Sequence, residues 1–458
     1  MTKKRIQVKK KLALLLASTL LVTSINVIPV KAAENNQANG TESQKAVVST
    51  NLSLEKTSAP TTDQMHTAHD NEWKILNTAV TADSKGIYQI EESGKYYLSE
   101  DIEQISLSPA VIIKSGVSAT ICLDGHTISA IDTAISVQSG ASLTVEDCSE
   151  PESKTGTGTV KGSGENVIYT DGNLVVNRVN VTNTSIGSQK YPIKAGDGRN
   201  NVGSVVIKNS KLKANTASLY AIRVENITIE ATECTGNIYA SENTNMTVSG
   251  STINANTGNA IKYTSGQGGT ITITDSVLTT KSSYTYDAGL YCSFSEGPIT
   301  INIEGSTINA PENGIRVDNG ENLKITNSKI ICTNKGTQKW GYAIKYEDVC
   351  VDRGNKLEVS DVEIKDWNTG ISICSDNSNN PEMNLTLSGD VKFEKKAPLN
   401  TDIDFPTSGE GKVNLHFNDL TTRRMMHQML VINGIQQSHL RMLLQMIIQL
   451  QIFVLEHT

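Results

Sequence analysis

An apolar–polar–apolar triplet, a small turn residue and a further apolar position recur through the middle of this chain, and few folds accommodate such a repeat. Leu323-Lys324-Ile325-Thr326-Asn327-Ser328-Lys329-Ile330 shows the unit plainly. The same frame returns in Val205 to Leu212, Met246 to Ile253, Ile271 to Leu278, Ile301 to Ile308 and Leu357 to Ile364. Its second apolar position falls at Val176, Ile207, Ile229, Val248, Ile273, Ile303, Ile325 and Val359, so seven steps span 183 residues with a mean near 26. A repeat of that length is one supersecondary unit that buries its apolar face only by stacking on its neighbours, which makes the chain a solenoid.

A second element interleaves with the first: Ala134-Ile135-Ser136-Val137, Ala221-Ile222-Arg223-Val224, Ala260-Ile261-Lys262-Tyr263, Gly314-Ile315-Arg316-Val317, Ala343-Ile344-Lys345-Tyr346 and Gly370-Ile371-Ser372-Ile373. Strand alternation turns Ile inward and the following residue outward. Two or three short strands per repeat, always in the same order and without helical periodicity, predict an all-β, single-stranded, right-handed parallel β-helix solenoid. An immunoglobulin-like sandwich, the main rival, needs hairpin turns and antiparallel returns.

Gly94-Lys95-Tyr96-Tyr97-Leu98, Leu123-Asp124-Gly125-His126-Thr127-Ile128 and the repeated units resemble the right-handed parallel β-helix superfamily that contains pectate lyases, over roughly residues 86 to 418. The nearer likeness is to secreted or surface β-helix proteins of Gram-positive bacteria. The resemblance implies a fold and leaves function open, because the repeat only describes how coils stack. Of the Asn-Thr-Asp, Asp-Asp, Gly-His-Gly and Arg-Ile-Lys set of pectin hydrolases on this fold, the last three are absent, so the set is not assembled.

The chain's 458 residues carry 41 Lys or Arg and 48 Asp or Glu, a formal charge of -7, which argues against a nucleic-acid partner. Six Lys or Arg ahead of the apolar run Leu12 to Val22, with Val30-Lys31-Ala32 beyond it, predict a signal peptide over 1–32. Its removal leaves -14 and no membrane span in the mature chain. Residues 33–72, rich in Ser, Thr, Asn and Gln, are expected to form a flexible leader, and 73–418 the β-helix domain. Residues 419–458 break the grammar. Five of the chain's nine methionines lie there, as a helix or a shifted reading frame would give.

In a β-helix, equivalent outward residues of successive coils stand about 4.8 Å apart and form columns. The outward slot reads Lys194, Arg223, Tyr239, Lys262, Tyr291, Arg316 and Lys345, a basic and aromatic stripe suited to the carboxylates or sulfates and the ring faces of a sugar chain. Lys and Arg on a sheet face also blunt aggregation and pair with acids such as Glu225, Asp318 and Glu347. Asp318 and Glu347, with Asp348 adjacent, are the one carboxylate cluster that suggests calcium or catalysis.

No other cofactor is expected. The seven cysteines include no C-x-x-C; Cys122, Cys234 and Cys292 read as small buried hydrophobes, while Cys350 and Cys374 could form a disulfide. The His66-x-x-His69 pair reads as solvated leader, His126 as part of a structural turn, and Ser210, Thr232, Ser251, Ser276, Ser306 and Ser328 as turn hydroxyls without a base. The function expected is that of an exported, monomeric, adhesin-like protein that binds a polysaccharide or host glycan. The alternative is a polysaccharide lyase or glycoside hydrolase acting on an acidic chain.

Overall fold

The structure is a computed structural model that describes residues 69–150, 152–242, 245–265, 268–294, 299–318, 322–334, 341–347, 355–373, 382–394, 401–404, 412–418 and 432–433. The signal peptide, nearly all of the leader, Asp348, Cys350, Cys374 and most of the atypical tail lie outside these residues. Within them the chain winds as a parallel β-helix, each coil laying down up to three short strands that pair in parallel with the same strands of the coils before and after.

The first face is a ladder of 14 strands that runs from Trp73–Ile75 to Lys412–Asn418. Its register follows the repeat read in the sequence: Val176, Ile207, Ile229, Val248, Ile273, Ile303, Ile325 and Val359 are successive ladder partners. All eight are fully buried. Each inward aliphatic residue therefore stacks on its counterpart one coil away, and removing its side chain from water is worth about 1.5–3 kcal/mol. The column makes one continuous core without large aromatics, apart from Tyr96, Tyr263, Tyr346 and Trp367.

The second and third faces are formed by strands such as Lys329–Cys332 and Tyr342–Glu347. The corner from first to second face is tight and repeats with one residue in the left-handed region, among them Asn209 (φ 48°), Asp275 (φ 48°), Gly305 (φ 60°) and Asn327 (φ 49°). Asn, Asp and Gly tolerate that conformation best, which is why they recur at this point in the repeat. The residue that follows is buried and carries a hydroxyl. The N–H groups of Thr232, Ser251, Ser276 and Ser306 donate to the Oγ of Ser251, Ser276, Ser306 and Ser328 one coil on, each at 3.1 Å. Each of these Ser hydroxyls in turn donates to the carbonyl two residues back, at 2.7–2.9 Å. The expected hydroxyl column is thus a hydrogen-bonded ladder that satisfies buried backbone donors at successive corners from Thr232 to Ser306.

The repeat is least regular at Lys211–Ile222 and Glu233–Ser241, long strands that run across the second and third faces. Their pairing slips between Lys213 and Ala217 and again between Ala217 and Leu219. At the N-terminal end of the described strands a short helix, Leu76–Ala79, places Leu76 against the core. Ile432–Asn433, within the segment that departs from the grammar, pairs with Thr401–Asp404 and continues the third face.

Candidate functional site on the third face

Ladder register on the third face fixes the outward column. Tyr169, Lys194, Tyr220, Tyr239, Lys262, Tyr291, Arg316 and Lys345 are successive partners. Six of the seven residues expected in the stripe stand in it. Arg223 does not: the slip in Lys211–Ile222 makes Leu219 the inward residue and Tyr220 its outward neighbour, so the Ala-Ile-Arg-Val frame at 221–224 imitates the repeat one step out of phase. Arg223 instead occupies a corner at φ 55° and pairs with Glu242, not with Glu225.

The column divides into a tyrosine half and a charged half. The rings of Tyr191, Tyr220 and Tyr239 stack, with centroid separations of 4.7 and 4.8 Å. Lys262 follows, its ammonium 5.3 Å from the centroid of Tyr239 and 5.6 Å from that of Tyr291. Arg316 lies over Tyr286 and Tyr291 at 5.0 and 5.4 Å. The tyrosine faces are therefore occupied by one another and by cations, and the surface offers ring edges, phenol hydroxyls and the Lys262 ammonium. The expected stacking of sugars on ring faces is not what this geometry provides.

Arg316, Asp318 and Glu347 form a half-closed polar cluster. The guanidinium donates to both oxygens of Asp318, at 3.0 and 3.1 Å, and contacts Glu347 at 2.5 Å, while Lys345 also pairs with Glu347. Side-chain exposures of 10% for Arg316, 13% for Asp318 and 22% for Glu347 leave little room for another ligand. The Tyr291 hydroxyl donates to Asp318 at 2.8 Å. Burial, followed by that hydrogen bond, pushes the Tyr291 phenol up to about 12. Among the described residues, each of the two carboxylates thus faces a cation: Asp318 faces Arg316, and Glu347 faces both Arg316 and Lys345.

Lys194 is held by Glu165 at 2.6 Å. Lys262 differs from every other cation of the column in having no carboxylate partner among the described residues. Of the remaining sequence candidates, His126 sits in its turn with Nδ1 3.3 Å from Asp101, and Cys234 and Cys292 point into the core as expected. Comparison of the chain with known protein families, with curated proteins and with solved structures finds no match to any of them.

Proposed function

We propose that the chain is an exported surface or secreted β-helix protein, of the pectate-lyase-like superfamily, that binds an acidic polysaccharide or host glycan along its third face. The observation that carries this reading is Lys262, a cation with no carboxylate partner among the described residues, held between the rings of Tyr239 and Tyr291 and next to the phenols that Tyr220 and Tyr239 present on successive coils. An ammonium that is already neutralised gains little from a new anion, whereas this one is positioned and meets no carboxylate among the described residues. The coil spacing of about 4.8 Å is on the scale of one pyranose unit, so successive hydroxyls can follow successive sugars.

Retention of a panel of acidic and neutral polysaccharides, with and without calcium, tests the reading, and chain length is measured on the same samples. Retention of acidic chains at unchanged length and independent of calcium is expected. Shortened chains would instead establish the lyase or hydrolase alternative and direct attention to Asp318, Glu347 and Arg316, which the internal pairing of that cluster argues against.

A further inference from the structure

At the N-terminal end of the solenoid, four polar side chains from three separate segments converge. The Sγ atoms of Cys122 and Cys148 are 3.4 Å apart. His69 Nε2 lies 3.8 Å from the Cys148 sulfur, and its Nδ1 faces Asp124 Oδ2 at 3.8 Å. The second carboxylate oxygen of Asp124 is 3.3 Å from the Cys148 sulfur. One nitrogen of His69 and the two sulfurs all fall within 4.8 Å of one another. A tetrahedral zinc ion, with bonds of about 2.3 Å to sulfur and about 2.0 Å to nitrogen, spaces its ligands by roughly 3.5–3.8 Å.

The supporting contacts fit a metal better than a mere pair of thiols. The His69 ring is pinned by stacking on Tyr97, 4.1 Å between centroids at 7°, and by an edge contact with Trp73 at 5.0 Å. Asp124 addresses the nitrogen that would be left over, the carboxylate–histidine arrangement that orients metal-bound imidazoles. The loop after Cys148 is held by Arg178, whose guanidinium donates to the carbonyls of Ser149 (3.1 Å) and Glu150 (2.8 Å).

We infer that His69 Nε2, Cys122 Sγ and Cys148 Sγ bind a zinc-class, thiophilic cation, with Asp124 as fourth ligand or as the partner of His69 Nδ1. Cys122 is fully buried, as its sequence surroundings suggest, but it stands beside Tyr97 outside the aliphatic core. The ion ties the segment that precedes the first strand to the second and third coils above it. Among the described residues the first strand pairs on one side only, and the ion would brace that end of the solenoid. The ladder partner of Cys122 one coil on is Glu146, and Cys148 follows it by two residues, so a separation close to one coil is the signal in the sequence that brings the two together.

The test is zinc content of the chain purified from zinc-supplemented medium without reductant, paired with replacement of zinc by Co2+ and with alkylation of free thiols. One zinc per chain is expected, with thiolate-to-cobalt absorption after exchange. Cys148→Ser should abolish both, and His69→Ala, outside the aliphatic core, should cut zinc affinity at least tenfold with strand content unchanged. Chain without stoichiometric zinc, or with Cys122 and Cys148 joined as a disulfide and closed to alkylation, would overturn the assignment.

Discussion

The ring of Tyr220 lies flat against the ring of Tyr239, centroids 4.8 Å apart and planes within 8°. The two residues are ladder partners, so the stack follows the axis of the solenoid. Their faces are used within the protein, and what remains for a ligand is the row of hydroxyls.

Tyr239→Phe keeps the stack and removes one hydroxyl. Stability is expected to stay within about 0.5 kcal/mol of the parent, as for surface changes generally, while polysaccharide retention weakens. Tyr239→Ala also breaks the ring pair and loses a further contribution of about 0.5–1.5 kcal/mol. Denaturant unfolding, run beside retention on the same two variants, separates the hydroxyl from the ring.

The corner ladder gives a sharper stability prediction. Ser251 Oγ accepts from the buried N–H of Thr232 and donates to the carbonyl of Ser249. Ser251→Ala leaves that N–H without a partner, at a cost of about 1–3 kcal/mol. Ser251→Thr, which keeps the hydroxyl as Thr232 does one coil earlier, should recover most of it. Urea midpoints at constant slope measure both.

Close packing between coils fixes Gly314. A Cβ there would stand 2.4 Å from the Ile330 side chain and 2.5 Å from the Ala343 carbonyl oxygen. Gly314→Ala should therefore destabilise by about 1–3 kcal/mol through overpacking, although alanine is ordinarily the better strand residue. A shift of the thermal midpoint by several degrees is the readout.

Alkaline pH should loosen the column. Burial and the Asp318 hydrogen bond raise the Tyr291 phenol from 10.0 to about 12, and burial with neighbouring Tyr220 raises Tyr191 to about 12. The folded chain thus keeps protons that the unfolded chain releases above about pH 10. Unfolding free energy should be level below that pH and fall as pH climbs toward 12. Tyr291→Phe should flatten part of the decline, as measured by unfolding at a series of pH values.

The first face was legible because its inward positions obey a strict alternation that tolerates only aliphatic residues; Val176 through Val359 could be read and spaced from the chain alone. The third-face column was legible wherever the coil length stayed regular, as at Lys262, Tyr291, Arg316 and Lys345. It failed at Arg223 because the slip near Ala217 changes which residue faces inward, and a four-residue pattern carries no memory of an irregularity a few positions earlier. The side-chain pairings were beyond the sequence: whether Lys262 or Lys345 keeps a free charge depends on where Glu347 and Asp318 point. The His69, Cys122 and Cys148 convergence joins residues up to 79 positions apart and depends on a placement of Cys122 outside the aliphatic core that no local pattern encodes.

In the proposed function Lys262, which has no carboxylate partner among the described residues, is the anion contact of the third face. Affinity for an acidic polysaccharide should be measured for the parent, for Lys262→Ala and for Lys213→Ala, an exposed lysine on the second face. A charged hydrogen bond is worth about 1.5–3 kcal/mol, so Lys262→Ala should weaken binding at least tenfold. Lys213→Ala should bind as the parent does. Equal affinity of parent and Lys262→Ala, or equal losses in the two variants, would contradict the claim.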